Sequence, residues 1–247
     1  MSRTDLAALI LAAGEGKRMK SGLAKVLQHV CGQPMIRYVV RAVRAVQPSR
    51  VIVVVGKQAE AVQEELSEEE LTFVLQEERL GTGHAALVAE PVLSDFHGTI
   101  LVLNGDTPLL RPETIRNLID FHERNGASAT VLSAEIDNPA GYGRIVRDEE
   151  GAFVRIIEHR DATEREKMIR EINSGIFCFA CDDLYPALRK VDRRNVQGEY
   201  YITDVMEILK REGKRVFVYL SDQQEEILGI NDLSQLQAAE RLMRRDG

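Results

Sequence analysis

Short apolar runs alternate with amphipathic segments along the first half of the chain. The apolar runs have the length of buried strands and cover Leu6–Ala13, Val51–Val55, Ile100–Asn104 and Ala129–Ala134. Two of the intervening segments, which begin at Pro34 and Pro112, repeat apolar residues at helical spacing. This alternation predicts βαβ units, and therefore a mostly parallel α/β sheet with helices on both faces.

The pattern changes after about residue 135. Residues 141–159 are typical of a hairpin, with Asp148–Gly151 as its turn. The pattern then predicts a charged helix, a strand, a helix, a strand and a last helix, at Ala162–Arg170, Asn173–Ala180, Asp182–Val191, near Val216 and at Leu233–Arg245. We predict one domain over residues 1–230, with a hairpin lobe within about 135–180, followed by a helix over 231–247.

Composition narrows the classes of partner. The chain has 247 residues, a net charge of -7, 44% hydrophobic and 29% charged residues, all ordinary for a globular protein. A negative chain is a poor non-specific binder of nucleic acid, and no apolar run reaches membrane-spanning length. The three cysteines form no disulfide framework, which predicts a reducing cytoplasm. An anionic ligand would therefore need a local cluster of positive charge.

Such a cluster follows the first predicted strand. Residues 11–27 read LAAGEGKRMKSGLAKVL, which fits neither the P-loop pattern nor the dinucleotide fingerprint. Gly14 and Gly16 would let backbone N–H groups approach a polyphosphate, while Arg18 and Lys25 would supply charge to its oxygens. A glycine turn with solvated basic residues is the alternative, and glycine spacing alone favours it.

Polar residues follow other predicted strands. Asp106 comes after a strand that ends in Asn104-Gly105, where it could hold Mg²⁺ against phosphate oxygens, or lie inert in a β-turn. Gln76 precedes Gly81-Thr82-Gly83, a segment that could bind an anion or the polar edge of a base. The alternative is a loop without a ligand, in which Thr82 is the N-cap of the next helix. His84, taken alone, has the pattern of a packed histidine.

Taken together, these stretches resemble the bacterial N-acetylglucosamine-1-phosphate uridyltransferases, the pyrophosphorylase half of a bifunctional cell-wall precursor enzyme. The resemblance covers practically the whole chain, with the motifs in the family's order. They read LAAGEGKRM, KVL, LGTGHA, NGDTPL, GYGRI, EHRDAT, EINSGI, QGEYYITD and GIND.

The resemblance implies a Rossmann-like domain that converts UTP and N-acetylglucosamine 1-phosphate to UDP-N-acetylglucosamine and pyrophosphate with Mg²⁺. It implies catalytic roles for Arg18 and Lys25, and metal ligation by Asp106 and Asn231. The nucleotide would lie against Leu11, Ala12, Ala13, Gly14, Gln76, Gly81 and Thr82. The sugar would lie against Asn104, Gly105, Gly143, Glu158 and Asn173.

Some features depart from the family or leave alternatives. Ala24 stands where the family usually has Pro, which predicts a less pre-organised loop before Lys25. Residues 231–247 resemble the start of the family's connecting helix, and no β-helix follows, so acetyl transfer is not expected. Another sugar-1-phosphate nucleotidyltransferase, or a regulatory module that binds nucleotide-sugar without turnover, remains an alternative. We do not expect the chain to bind a membrane or nucleic acid. The sequence is compatible with a homo-oligomer.

Overall fold

The computed structural model describes residues 4–14, 16, 19 and 22–245. In these residues the strands are Leu6–Ala12, His29–Val30, Gln33–Pro34, Arg50–Val55, Thr72–Leu75, Thr99–Asn104, Ala129–Glu135, Arg144–Arg147, Phe153–Ile157, Glu171–Ala180 and Val216–Leu220, numbered β1 to β11. The α-helices in the same residues are Met35–Arg44, Ala59–Glu65, Thr82–Leu87, Pro112–Arg124, Glu164–Lys167, Cys181–Leu188, Asp204–Arg211 and Leu233–Arg245, numbered α1 to α8. The principal sheet has the strand order β11-β7-β10-β6-β1-β4-β5.

The sheet is mostly parallel, as the sequence predicts. Strand β1 pairs in parallel with both β4 and β6, and β11 pairs in parallel with β7. Strand β10 is the exception, because it runs antiparallel to β6 and β7. The hairpin β8–β9 joins the sheet through β10, where Ile172 pairs with Arg144. The second half of the chain thereby completes the sheet that the first half begins.

Apolar residues on both faces of β1 explain why its sequence is almost continuously hydrophobic. Leu6, Ala8, Ile10 and Ala12 pack in the core that also contains the buried faces of α1 and α4. Ala7 and Leu9 point the other way, into the core shared with α3, α6 and α7. A strand covered on both faces must be apolar at successive positions, since its side chains alternate between the faces.

One predicted helix and one alternative need correction. The charged helix predicted at Ala162–Arg170 covers only Glu164–Lys167, with a capping box between Thr163 and Glu166. It ends early because the backbone of Arg170 pairs with Ile136 and extends the sheet. The alternative in which Thr82 is an N-cap is also wrong, since Gly81 holds that position and Thr82 is the first residue of α3.

The C-terminal helix α8 packs onto the rest of the molecule. Ala239, Leu236 and Met243 share a small apolar cluster with Val30 and Met35. No helix in the described part of the chain combines the length and apolar character needed to cross a bilayer. In the segment just before α8, the Ile230 N–H donates to the carbonyl of Asp106, which follows β6.

Candidate functional site

A cavity of about 640 Å³ opens where β1 and β6 end. This is the edge at which open α/β sheets bind ligands. Its wall contains both polar and charged side chains and many backbone groups. The described lining residues are Leu11, Ala13, Gly14, Gly16, Lys25, Val26, Gln76, Arg79, Gly81, Thr82, Ala85, Asn104, Asp106, Arg160, Val196, Gln197 and Glu199.

The charged end of the cavity brings together three side chains from distant segments. Lys25 Nζ donates to Asp106 Oδ2, and it also donates to Asn231 Oδ1 at 2.7 Å. Lys25 follows the opening loop, Asp106 follows β6, and Asn231 precedes α8. The Ile230 N–H donates to the Asp106 carbonyl at 2.9 Å and fastens the last segment here. Lys25, Asp106 and Asn231 thus form one polar group, which we call the charged end.

The oxygen donors of this charged end fit a hard divalent cation. Asp106 Oδ1 is buried, and no described group hydrogen-bonds to it. The Asn231 amide nitrogen donates to the Gly229 carbonyl at 3.2 Å, which leaves its oxygen directed to the site. Carboxylate and amide oxygens are preferred ligands of such cations. Across residues 4–14, 16, 19 and 22–245, no cluster of three or more His, Cys, Asp or Glu gathers as a metal cage.

The opposite end lies after β5, three strands away from β6 in the sheet, and is made by a buried glutamine. We call it the base end, because the resemblance implies that Gln76 contacts the nucleotide base. Gln76 is 4% exposed and follows β5. Its Nε2 donates to the Gly81 carbonyl at 3.1 Å and lies 3.0 Å from His84 Nδ1. The amide is therefore held in place by the loop that begins α3.

Segment 199–202 packs against that loop and shapes the base end. Gly81 has φ +110°, and a Cβ there would lie 2.4 Å from the Tyr200 carbonyl oxygen. The Gly83 N–H donates to the same carbonyl at 2.8 Å. The Ile202 N–H donates to Thr82 Oγ1 at 3.1 Å, so the hydroxyl ties the two segments together. Glycine is required at residue 81 by both its backbone angle and its close contact.

A third group of predicted residues lies beside the cavity. Carboxylate oxygens of Glu158 lie 3.4 Å from where a Cβ on Gly143 would be, and the Asn173 N–H donates to the Gly143 carbonyl at 2.9 Å. Asn173 Oδ1 accepts from the Gly175 N–H, and a Cβ on Gly175 would lie 2.3 Å from Asn104 Nδ2. Asn104 thus links this group to the cavity wall.

Glu158 has an unusual protonation equilibrium. Burial raises its pKa to about 7, and the nearby carboxylates of Asp204, Asp161 and Glu199 add to this rise. The hydroxyl of Thr203 opposes the rise, because it donates a hydrogen bond to Glu158 at 3.3 Å. Half-neutral at neutral pH, this carboxyl can either donate or accept a hydrogen bond. A partner rich in hydroxyl groups suits such a side chain.

The structure brings most of the predicted site residues together. Leu11, Ala13, Gly14, Lys25, Gln76, Gly81, Thr82, Asn104 and Asp106 line the cavity, and Asn231 reaches it through Lys25. Ala12 lines a neighbouring pocket, whereas Gly105, Gly143, Glu158 and Asn173 do not line this cavity. Arg18 lies outside the described residues.

Sequence reasoning assigned no role to three residues that shape the site. His84 contacts Gln76, Thr203 contacts Glu158, and the backbone of Tyr200 clamps the Gly81 loop. The motif QGEYYITD was the available signal for Tyr200 and Thr203, because it contributed to the family resemblance. The eight-residue spacing of Gln76 and His84 is not informative without the intervening loop conformation.

Comparison with known proteins gives the family. The profile described as "MobA-like NTP transferase domain" matches residues 8–173. The chain belongs to the MobA-like NTP transferase domain family. The matched range contains most of β1, the opening loop, Gln76 and Asp106, and it ends at Asn173. Both the nucleotidyltransferase family and the mostly parallel α/β fold predicted from the sequence are confirmed.

Relatives of this NTP transferase domain are named "Bifunctional protein GlmU". The one from Syntrophomonas wolfei is 49% identical over 240 residues, which are 97% of this chain and 53% of the relative. The one from Enterococcus faecalis is 48% identical over 238 residues, which are 96% of this chain and 52% of the relative. The chain therefore spans about half the length of the curated relatives it matches.

A solved structure with the same fold is that of a UDP-glucose pyrophosphorylase complexed with UDP-glucose. The TM-score is 0.78, with 17% identity over 98% of this chain and 100% of that chain. At this identity the likeness establishes the fold of the NTP transferase domain.

Proposed function

We propose that this NTP transferase domain transfers a uridylyl group from UTP to N-acetylglucosamine 1-phosphate. The products are UDP-N-acetylglucosamine, a precursor for peptidoglycan and lipopolysaccharide, and pyrophosphate. The observation that carries the proposal is the convergence of Lys25, Asp106 and Asn231 at one end of a cavity whose other end holds Gln76. The match to half of the bifunctional GlmU relatives supports this reaction.

The chemistry requires positioning and charge neutralisation. An oxygen of the sugar phosphate attacks the α-phosphorus of UTP, the bond to the β-phosphate oxygen breaks, and pyrophosphate leaves in line. The attacking phosphate monoester is already ionised at neutral pH, so no general base is needed. Lys25 is suited to neutralise the α-phosphate or the attacking phosphate, and Arg18 the departing β- and γ-phosphate oxygens.

Asp106 and Asn231 would hold a divalent cation, which we propose to be Mg²⁺. When bound, such a cation neutralises phosphate charge and makes the α-phosphorus more electrophilic. The buried oxygen Oδ1 of Asp106, which has no described hydrogen-bond partner, supports this role. Lys25 already compensates the charge of Asp106, and it also donates to Asn231 Oδ1.

The remaining assignments concern the base and the sugar. Gln76, Gly81 and Thr82 would contact uracil, while Leu11 to Gly14 would line the rest of the uridine. Gly143, Glu158 and Asn173, next to Asn104 and Gly105, would contact N-acetylglucosamine. The proximity of Glu158, Gly143 and Asn173 to one another supports a common ligand for them.

We place this reaction in the cytoplasm, within a nucleotidyltransferase domain that precedes a connecting helix. The free thiols of Cys31, Cys178 and Cys181 support this placement, because disulfides are rare in a reducing compartment.

The test is release of pyrophosphate by the purified chain. We expect release with UTP, N-acetylglucosamine 1-phosphate and Mg²⁺ together, and none when any one of them is omitted. Parallel reactions with ATP, GTP, CTP and other sugar 1-phosphates separate the proposed reaction from those of related nucleotidyltransferases. Thermal stabilisation by UDP-N-acetylglucosamine without any pyrophosphate release would instead favour a regulatory binding module and contradict the proposal.

A further inference from the structure

The side-chain amide of Gln76 is held in one orientation by its surroundings. The Gly81 carbonyl accepts from the Ala85 N–H at 3.0 Å and from Gln76 Nε2 at 3.1 Å. A carbonyl can only accept hydrogen bonds. The amide nitrogen of Gln76, and not its oxygen, therefore faces Gly81.

His84 uses the second N–H of the same amide. Its Nδ1 lies 3.0 Å from Gln76 Nε2, so Nδ1 is the acceptor and the imidazole carries its proton on Nε2. Both donors of the Gln76 amide are then engaged within the protein. No described group donates to its oxygen Oε1, which leaves a hydrogen-bond acceptor for a ligand in the cavity wall.

The imidazole of His84 is itself kept in place. The Tyr200 ring lies against it, with a centroid distance of 6.4 Å and an interplanar angle of 30°. The Tyr200 N–H donates to the Leu80 carbonyl at 2.7 Å, and the Arg193 guanidinium lies 5.6 Å from the Tyr200 ring centroid. A residue with a fixed position can hold the orientation of its neighbour.

We infer that His84 is a positioning residue that selects uracil over cytosine by holding Gln76 Oε1 towards the base. The inference rests on the proposed function, in that it takes a uridine nucleotide as the ligand of the cavity. Uracil presents an N–H donor at N3, which pairs with Oε1. Cytosine presents a lone pair at N3, which Oε1 repels, and a reversed amide would pair with it instead.

The test compares UTP with CTP in variants of residue 84. In His84→Ala, one amide N–H loses its acceptor, and the reversed amide becomes more accessible. We expect the ratio of kcat/KM for UTP to that for CTP to fall about fivefold, with KM for N-acetylglucosamine 1-phosphate unchanged. In His84→Asn, the side-chain oxygen takes the place of Nδ1 as an acceptor and restores the ratio.

His97→Ala is the matched control, because this histidine is 77% exposed and bonds to Asp182 on the surface. We expect it to leave the UTP/CTP ratio at the wild-type value. A His84→Ala ratio within twofold of wild type, or failure of His84→Asn to restore a lowered ratio, would overturn the inference. Circular dichroism and thermal denaturation establish that each variant compared is folded.

Binding of UDP and CDP, measured by calorimetry, separates this inference from the proposed function. Preference for UDP that depends on His84, in a protein that releases no pyrophosphate, supports the inference and refutes the proposed reaction. Normal turnover of UTP with an unchanged UTP/CTP ratio in His84→Ala refutes the inference alone. Binding of neither nucleotide would overturn both.

Discussion

At the base end of the cavity, Gln76 bonds to Gly81 and His84, which lie five and eight residues further along the chain. At the charged end, Lys25 bonds to Asp106 and Asn231, which lie 81 and 206 residues away. The side-chain contacts of Gln76 lie within one short segment, which segment 199–202 packs against. The side-chain contacts of Lys25, in contrast, join three segments that are distant along the chain. The difference teaches that recognition of the base and stabilisation of phosphate charge should be separable by mutation.

The charged end should give the largest effect on turnover. Asp106→Asn keeps the shape of the side chain but removes the negative charge that Lys25 and the proposed cation share. We expect kcat for pyrophosphate release to fall by roughly 10²- to 10³-fold, since charge neutralisation is the main catalytic contribution. Asp95→Asn is the control, because Asp95 is 73% exposed in its ion pair with Arg50. A kcat for Asp106→Asn within tenfold of wild type would contradict the assignment.

Two glycines distinguish a structural from a ligand-dependent requirement. Gly81→Ala places a Cβ 2.4 Å from the Tyr200 carbonyl oxygen at φ +110°, so we expect it to lower the free energy of unfolding by at least about 1–3 kcal/mol. Gly14→Ala meets no described atom within 4 Å, so we expect unchanged stability and a raised KM for UTP. Urea denaturation and initial rates measure the two effects. Equal stability of the two variants would contradict this distinction.

Glu158, in the proposed sugar site, resembles the charged end in one respect, because its carboxylate accepts from Thr203, a residue distant along the chain. Burial raises its pKa to about 7 from the ordinary glutamate value of 4.5, so the folded protein binds the proton more tightly than the unfolded chain. The resulting stabilisation is complete below about pH 4.5 and is lost as pH rises through 7. Glu158→Gln should remove this loss and make the ligand-free protein more stable at pH 8, by up to about 3 kcal/mol. Urea denaturation at pH 5 and pH 8 measures it, and parallel pH profiles would contradict it.

The smallest effect concerns the loop before Lys25. Ala24 has φ −53°, within the range of proline, and no described group accepts its N–H. Ala24→Pro should therefore raise the free energy of unfolding by about 0.4–1 kcal/mol. Ala45 has φ −65°, but its N–H donates to Arg41, so Ala45→Pro is a control that should destabilise. Thermal denaturation compares them, and a lowered Tm for Ala24→Pro would show that the loop is not already in this conformation.

Much of the fold could be predicted because its strands and helices have local signals. Strand β4 consists of the predicted run Val51–Val55 and one more residue, Arg50. Helix α8 has the predicted bounds Leu233–Arg245. The direction of β10 could not be read from its sequence, since a strand buried on both faces has the same pattern in either direction. The early end of α5 likewise depends on a tertiary contact of Arg170.

The candidate site divides in the same way. Gly81 and Gln76 lie in a segment whose glycines and polar residues were visible as a loop before a helix. Asn231 entered only through the motif GIND, because nothing in its local sequence indicates that it meets Lys25. His84 had the sequence pattern of an ordinary packed histidine, and only the loop conformation reveals its contact with Gln76.

The central claim is that Asp106 and Asn231 act together at one cation site. Electron paramagnetic resonance of Mn²⁺ added with UTP measures this directly in the wild type, Asp106→Asn, Asn231→Ala and the double variant. We predict that each single substitution weakens Mn²⁺ binding about tenfold or more. We also predict that the double variant binds Mn²⁺ with nearly the same affinity as the single variant that binds it more weakly. Mn²⁺ affinity that is unchanged in the single variants, or losses that add fully in the double variant, would contradict a shared site.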